Sequence, residues 1–283
     1  MEKKKRGPLI IIGGAEDKEG ECLILRYFLS LLQKDGPVVI IPTASQAPLE
    51  AGELYRQVFH RLGAREIHIL AISTRQEAEK KVVSRRLEEA KGIFFTGGDQ
   101  LRVTSLLGGT LAEEAIKKAH LRGTVIAGTS AGAAAMSEIM IVGGEGEEAP
   151  KKNTLHMAPG LGLLEGIVID QHFAQRGRLG RLLTAVAQNP HTLGAGIDED
   201  TALVVFAETA RVIGSGTVTI VDGRHIQHTN ISEQKPDEPL VLTNVLLHIL
   251  PAGFGYHLEK KEVLAPSSFP ATIPPGSENI DRR

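Results

Sequence analysis

The chain has 283 residues, which is enough for one large α/β domain with a sizeable core. Its formal net charge is −2, so we expect no general electrostatic attraction to nucleic acid or to an anionic membrane. The one cysteine, Cys22, excludes an intrachain disulfide, and no apolar run reaches the length of a membrane span or of a signal peptide. The sequence therefore predicts a cytoplasmic protein with neither a nucleic-acid partner nor a membrane partner.

The first half of the chain alternates apolar strands with amphipathic helices. Helices are expected at about 21–34, 49–62 and 75–90, with further helical patterns up to Gly123. The predicted strands are 9–12, 38–41, 66–72, 93–95 and 124–127. These strands are continuous apolar runs, which is typical of a parallel sheet covered on both faces. The predicted fold is α/β, a doubly wound, mostly parallel sheet whose sites form at the carboxyl ends of its strands.

The second half is less regular. Residues 143–152 form a glutamate-rich loop, interpreted either as a lid or as a solvated connection. The remaining predictions, in chain order, are a strand at 167–169, a helix at about 177–188, a strand reaching Phe206, a small antiparallel extension at 212–213, 217–221 and 225–227 with a turn at Asp222-Gly223, and a helix at 240–250. Residues 1–265 are expected to form a single domain and 266–283 a disordered tail.

Neither a metal nor a cofactor is expected. The ten histidines are scattered, and no Cys/His group has the spacing of a metal site. The stretch Gly13-Gly14-Ala15-Glu16-Asp17 lacks the third glycine of the dinucleotide fingerprint, and no P-loop lysine motif is present.

The stretch Gly128-Thr129-Ser130-Ala131-Gly132 carries the strongest chemical signal. It follows an apolar strand and leads into small, helix-compatible residues, which is the context that a G-x-S-x-G nucleophile elbow requires. The glycines allow the sharp turn, and the following helix N-terminus offers N–H groups to a developing oxyanion. The alternative is a βα connection without catalytic function.

A serine nucleophile needs a base and an acid that orients the base. His172 is the favoured base because it follows a strand end, as the serine does, while His156 and His191 lie in predicted loops and stay open. The orienting carboxylate is left open among four residues: Asp170, Asp198, Glu199 and Asp200. The chain order of serine, histidine, acid disfavours the α/β-hydrolase fold, in which the acid precedes the histidine.

Several motifs together make the sequence recognisable. They are Gly97-Gly98-Asp99-Gln100, the Ser130 elbow, Asp170-Gln171-His172-Phe173 with the arginines that follow it, and Gly196-Ile197-Asp198-Glu199-Asp200-Thr201-Ala202. With these motifs in this order, residues 8 to 260 resemble the cyanophycinase group of the S51 serine peptidases, which is related to aspartyl dipeptidases.

The resemblance implies a class I glutamine amidotransferase-like fold, a homodimer and a triad of Ser130, His172 and Glu199. It implies an oxyanion hole made by the N–H groups of Gly98 and Ala131. The substrate pocket that it implies comprises Gln100, Asp170, Gln171, Arg176, Arg178 and Arg181. The implied activity is that of an exopeptidase that releases β-aspartyl-arginine dipeptides from the carboxyl end of cyanophycin, a poly-aspartate that carries arginine on its side chains.

Guanidinium groups suit this substrate because an exopeptidase must recognise free carboxylates, which arginine binds in bidentate fashion.

Three alternative functions remain open. An aspartyl or isoaspartyl dipeptidase would use the same triad on small peptides, and a non-catalytic binding protein would keep only the fold. A glutamine amidotransferase domain is disfavoured because it needs cysteine where Ser130 stands.

Overall fold

The structure is a computed structural model, and it describes residues 6–32, 36–144, 149–152, 155–235 and 238–269. Parts of three predicted features lie outside these residues: the end of the first helix at Lys34-Asp35, the core of the glutamate-rich loop at 145–148, and positions 270–283 of the predicted tail. The beginning of that tail is described, and Pro266–Ser268 form a 3₁₀ turn.

The strands of the described residues are, in chain order, β1 (Leu9–Ile12), β2 (Val38–Ile41), β3 (Ile67–Ile69), β4 (Gly92–Phe95), β5 (Val125–Thr129), β6 (Ile139–Gly144), β7 (Leu155–Pro159), β8 (Ile167–Gln171), β9 (Leu193–Ile197), β10 (Thr201–Phe206), β11 (Thr209–Gly214), β12 (Thr217–Asp222), β13 (Leu246–Pro251), β14 (Gly255–His257) and β15 (Glu262–Leu264).

The helices of the described residues are α1 (Leu23–Ser30), α2 (Pro48–Arg61), α3 (Arg75–Ala78), α4 (Lys81–Glu89), α5 (Gln100–Leu107), α6 (Leu111–Leu121), α7 (Ala131–Ala134) and α8 (Leu179–Gln188). A 3₁₀ turn, Ala174–Arg176, precedes α8. Within the residues that the structure describes, no helix has both the length and the apolarity that crossing a lipid bilayer requires.

The central sheet has the strand order β15-β14-β11-β10-β1-β5-β4-β2-β3. The five strands from β1 to β3 in this order pair in parallel, and the other four pair antiparallel. The predicted doubly wound α/β sheet is confirmed. Its antiparallel extension is larger than predicted, because β14 and β15 have only three residues each and leave almost no periodic pattern in the sequence.

Helices cover both faces of the parallel part of the sheet. Successive residues of β1 point to opposite faces, so Ile10 belongs to one hydrophobic core and Ile11 to the other. Helices α1 and α2 cover the first face, where Phe59 of α2 packs edge-on against Phe94 of β4 with 5.1 Å between the ring centres. Helices α4 to α6 cover the second face. Burial of each large apolar side chain here contributes about 1.5–3 kcal/mol.

A second sheet has the order β13-β12-β9-β8 and packs against the core on the side of α4 to α6. Strands β8 and β9 are parallel to each other, while β12 and β13 join them antiparallel. The sheet brings the carboxyl end of β8, which leads to His172, towards the end of β5, which leads to Ser130.

Three local predictions are wrong. The helix predicted at 240–250 is in part β13, because the leucine-rich run finds its backbone partners on β12 instead of within itself. Residues 225–227 are not a strand: Ile226 N–H donates to the carbonyl of Gly223 in a turn, and β13 takes the place beside β12. The helix predicted at 75–90 is two helices, since α3 ends at Ala78 and α4 begins at Lys81.

Candidate active site

Ser130 lies at the tip of a sharp turn between β5 and α7. Its backbone has φ 51° and ψ −115°, a conformation that costs a non-glycine residue about 1–3 kcal/mol. The positions two residues before and after Ser130 have no room for a side chain. A Cβ on Gly128 would lie 2.6 Å from the carbonyl oxygen of Gly132, and a Cβ on Gly132 would lie 2.7 Å from that of Phe95. The turn therefore has the strand–turn–helix geometry that the sequence motif demands.

A chain of two hydrogen bonds links Ser130 through His172 to Glu199. Ser130 Oγ lies 2.9 Å from His172 Nε2, and His172 Nδ1 lies 2.6 Å from Glu199 Oε1. The carboxylate favours the tautomer in which Nδ1 carries the proton, so Nε2 is free to accept from the serine hydroxyl. A serine, a base and an orienting acid in this arrangement can carry out nucleophilic catalysis.

The protonation state of His172 suits a general base. Burial lowers the pKa of the imidazole below its ordinary value of 6.5, and the hydrogen bond to Glu199 acts in the opposite direction without cancelling the effect. The positive charges of Arg176 and Arg178 lower the pKa of His172 further. The imidazole is therefore neutral near pH 7 and can take a proton from Ser130.

The other three candidate acids have different partners. Asp198 accepts from the backbone N–H of Ala174 at 3.1 Å and from the hydroxyl of Thr217 at 2.8 Å. Asp200 accepts from the backbone N–H of Asp17 at 3.0 Å. Asp170 is 1% exposed and is bound by two arginines. Of the four carboxylates left open by the sequence, Glu199 is the one that forms a hydrogen bond with His172.

Gly14 is part of this site, although the sequence indicates only that it lies in a loop at a strand end. A Cβ at this position would lie 2.4 Å from Ser130 Oγ and 2.3 Å from His172 Cε1, and the backbone has φ +106°. Both the close approach and the conformation require glycine. The signal in the sequence was the Gly13-Gly14 pair directly after β1, but the pattern could not show which side chains would fill the space.

The two residues predicted to form the oxyanion hole are Ala131, which follows Ser130 in sequence, and Gly98, in the loop after β4. Ala131 is the first residue of α7, where a backbone N–H has no acceptor within its own helix. Gly98 follows Gly97, on which a Cβ would lie 3.3 Å from the Cβ of Ser130. Gly98 has φ +142°, and a Cβ on it would clash with the carbonyl oxygen of Ala44, so this position also requires glycine. The loop after β4 is thus held beside the serine.

Two of the predicted substrate-binding arginines are buried in an ion-pair cluster. Arg181 forms a fork on Asp170, with Nε donating to Oδ2 at 2.6 Å and Nη2 to Oδ1. Arg178 donates to Asp170 and to both the backbone and side-chain oxygens of Gln171. Burial lowers the pKa of Arg178 to about 10, although the charge of Asp170 opposes this shift. The cluster holds the carboxyl end of β8, directly before His172.

The other predicted pocket residues differ in exposure. Arg176 is exposed, and its guanidinium makes no ion pair with the part of the chain that the structure describes. Its backbone N–H donates to the carbonyl of His172 at 3.1 Å, so it lies one turn beyond the histidine. Gln100, at the start of α5, donates through Nε2 to the carbonyl of Ile141 at 2.7 Å.

Among the described residues, no group of three or more His, Cys, Asp or Glu side chains is arranged to hold a metal ion.

Comparison with known proteins places this geometry in a family context. The curated relatives include three proteins named "Cyanophycinase". The one from a Nostoc species is 43% identical over 260 residues, covering 90% of this chain and 87% of that protein. The one from Synechococcus elongatus is 41% identical, covering 91% and 81%. The one from Geminocystis herdmanii is 40% identical, covering 94% and 98%.

Solved structures show the same fold. A peptidase from an acI-B1 actinobacterium matches with a TM-score of 0.67 at 23% identity, over 90% of this chain and 98% of that one. A putative peptidase E protein from Listeria monocytogenes matches with a TM-score of 0.53 at 18% identity, over 75% of this chain and 100% of that one. The model of peptidase family S51 matches residues 9–213, which include the whole Ser130–His172–Glu199 chain. The chain therefore belongs to peptidase family S51 and is a serine peptidase.

Proposed function

We propose that this chain hydrolyses cyanophycin from its carboxyl end and releases β-aspartyl-arginine dipeptides. One observation carries the proposal: the hydrogen-bonded chain of Ser130, His172 and Glu199 occurs in a protein whose relatives named for this activity are 40–43% identical to it. The fold alone would not support the assignment of a substrate, since proteins with the same fold have many different activities.

In the first half of the proposed reaction, Ser130 Oγ attacks the carbonyl carbon of an aspartate backbone peptide bond. The hydroxyl proton passes to His172 Nε2, which lies 2.9 Å away, and Glu199 stabilises the imidazolium that forms. The carbonyl oxygen becomes an oxyanion that accepts hydrogen bonds from the N–H groups of Gly98 and Ala131. Each such donor contributes roughly 3 kcal/mol to transition-state stabilisation. The intermediate collapses to an acyl-enzyme as His172 gives its proton to the leaving amine.

In the second half, a water molecule attacks the ester carbonyl of the acyl-enzyme. His172 takes one proton from the water and returns it to Ser130 Oγ as the ester bond breaks. The shortened polymer leaves with a new carboxyl terminus, and the hydrogen bond between Ser130 and His172 forms again. No group other than these three side chains, the two N–H donors and water is needed for the steps to balance.

The pocket residues receive different roles in this proposal. Arg176 is exposed one turn beyond His172, so it binds a free carboxylate of the terminal substrate unit. Gln100 is assigned the role of an acceptor for the substrate through its side-chain oxygen, because its Nε2 already donates to the carbonyl of Ile141. Arg178 and Arg181 are held by Asp170 and act by keeping Gln171 and the end of β8 in place.

The test is digestion of purified cyanophycin, with the products identified by mass. We expect dipeptides of aspartate and arginine, and we expect a polymer with an amidated carboxyl terminus to be cut far more slowly. Rapid cutting of the amidated polymer would contradict the exopeptidase mode. Intact polymer, under conditions in which small aspartyl dipeptides are hydrolysed, would replace the proposal with the dipeptidase alternative. Absence of hydrolysis of either substrate would favour a binding protein.

We also propose, from the sequence and the resemblance, that the protein works in the cytoplasm as a homodimer. Light scattering coupled to gel filtration measures the mass directly. A single species with twice the mass of the chain is expected, and a monomer at micromolar concentration would contradict the dimer.

A further inference from the structure

The segment of residues 12–17, which we call the β1 loop, touches all three parts of the chain that carry Ser130, His172 and Glu199. Its carbonyl oxygens accept backbone hydrogen bonds from each part. These bonds run from Ser130 N to Ile12 O (3.0 Å), from His172 N to Gly13 O (2.8 Å) and from Asp200 N to Gly14 O (2.9 Å). The β1 loop therefore joins parts of the site that are far apart in sequence.

The β1 loop also carries a buried carboxylate that the proposed reaction does not use. Glu16 is 3% exposed. Its Oε2 accepts from the hydroxyl of Thr129 at 2.5 Å, and its Oε1 accepts from the hydroxyl of Tyr55 and forms an ion pair with Lys18 at 3.1 Å. Burial raises the pKa of Tyr55 well above its usual value, and Glu16 adds to this rise, so the tyrosine stays a donor.

Thr129 makes this carboxylate relevant to the site. It is the last residue of β5 and the direct neighbour of Ser130, whose strained backbone persists only if the surroundings hold it. Thr129 is itself 2% exposed, so water cannot replace Glu16 as the partner of its hydroxyl. Burial of the Glu16 carboxylate costs free energy, which its three partners Thr129, Tyr55 and Lys18 offset, and loss of one partner leaves polar atoms unsatisfied in the interior.

We propose that Glu16 is a positioning residue for the nucleophile. By accepting the hydrogen bond of Thr129, it fixes the end of β5 against the β1 loop, so that Ser130 Oγ stays within hydrogen-bond distance of His172. The inference rests on the proposed function in one respect, since it takes Ser130 as the nucleophile. Glu16 itself touches neither Ser130 nor His172 in the proposed mechanism.

The test removes the hydroxyl of Thr129 and compares the result with a matched control. Thr129→Val deletes the bond to Glu16 at almost constant shape, and Thr129→Ser keeps the hydroxyl. The control is Thr124→Val, because Thr124 precedes the opposite end of the same strand and donates one buried hydrogen bond, to the carbonyl of Ala90 at 3.0 Å. Both valine variants lose a buried threonine hydrogen bond, so a purely structural effect lowers Tm in both.

The readouts are kcat, KM and the rate at which an organophosphonate labels Ser130. For Thr129→Val we expect kcat and the labelling rate to fall about ten- to a hundredfold while KM changes less than about threefold, because a misplaced nucleophile slows chemistry and not binding. For Thr129→Ser, which keeps the hydroxyl, we expect a labelling rate within about threefold of that of the unchanged protein. For Thr124→Val we expect a labelling rate within about twofold. Equal labelling rates in Thr129→Val and Thr124→Val would overturn the proposal.

Glu16→Ala probes the same contact from the other side. Its effect on labelling is expected to be non-additive with that of Thr129→Val, and full additivity would overturn a shared contact. The labelling rate also separates this inference from the proposed substrate. Protein that labels at Ser130 but leaves cyanophycin intact would refute the substrate, while the Thr129 and Glu16 comparison would still decide the positioning role.

Discussion

The Oε1 atom of Glu199 lies 2.6 Å from the Nδ1 atom of His172, and 37% of the glutamate side chain is exposed against 13% of the histidine side chain. The carboxylate is therefore placed to orient the imidazole from the more exposed side of the pair. The two neighbours of Glu199 in sequence hold other loops: Asp198 binds Thr217 and Asp200 binds the backbone of Asp17.

Glu199→Gln should lower kcat by about two to four orders of magnitude, because an amide can donate to Nδ1 and thereby favour the wrong histidine tautomer. Steady-state kinetics on the polymer measure the loss, and circular dichroism checks the fold. Glu165→Gln is the matched control, since Glu165 pairs with Arg6 on an exposed surface. Activity of Glu199→Gln equal to that of the control would remove Glu199 from the catalytic group.

The acidic limb of the pH dependence should lie below 6.5. Burial lowers the pKa of His172, and catalysis needs the neutral imidazole, so activity is complete above this lowered pKa and is lost as the pH falls through it. At pH 6.5, kcat/KM should retain more than half of its plateau value. The measurement is kcat/KM between pH 4.5 and 8 at constant ionic strength. A limb centred above 6.5 would show that Glu199 and not burial dominates the pKa.

Gly14→Ala should nearly abolish activity, with a loss of about two orders of magnitude or more in kcat. The new methyl group would meet Ser130 Oγ at 2.4 Å and His172 Cε1 at 2.3 Å, and so would separate the nucleophile from its base. Gly63→Ala is a close control: Gly63 has φ +102° against +106° for Gly14, but nothing lies within 4 Å of its added Cβ.

Both alanine variants therefore carry similar backbone strain, and only one blocks the site. Thermal unfolding should show a fall in Tm for both proteins, and a larger one for Gly14→Ala because its methyl group also clashes with Ser130 and His172. Equal activities would mean that the contact at Gly14 is relieved by a shift of the β1 loop and does not define the site.

Arg176→Ala should raise KM about tenfold or more with a smaller change in kcat, because the exposed guanidinium is proposed to bind a substrate carboxylate in both the ground state and the transition state. Arg176→Lys should recover part of the loss, since it restores the charge without the fork. Arg85→Ala, on the exposed face of α4, is the control. An unchanged KM in Arg176→Ala would assign carboxylate recognition to another group.

The parallel part of the fold could be predicted from sequence because strands buried on both faces consist of continuous apolar runs, as at β2 and β4. The antiparallel strands could not, for two physical reasons. Strands β14 and β15 are too short for a period to emerge. The leucine-rich run that contains β13 has no intrinsic preference strong enough to outweigh its pairing with β12.

The site could be predicted in part for a similar reason. Ser130 and His172 follow strand ends, and the elbow around Ser130 has a local steric signature. The residue pattern leaves four candidate acids open, and Glu199 is named only from the family resemblance. The partners of the other acids, such as Arg181 for Asp170, are visible only in the folded chain. The roles of Gly14 and Glu16 depend on contacts across more than a hundred residues of sequence, which no local pattern records.

The most direct test of the proposed mechanism is the turnover of Ser130→Ala on cyanophycin, measured beside Ser105→Ala. Ser105 is an exposed serine on α5, and its loss should leave turnover unchanged. For Ser130→Ala we predict that release of aspartate–arginine dipeptides falls by about six orders of magnitude while Tm stays near that of the unchanged protein. Turnover within tenfold of that protein would show that hydrolysis does not pass through Ser130 and would contradict the mechanism at its central step.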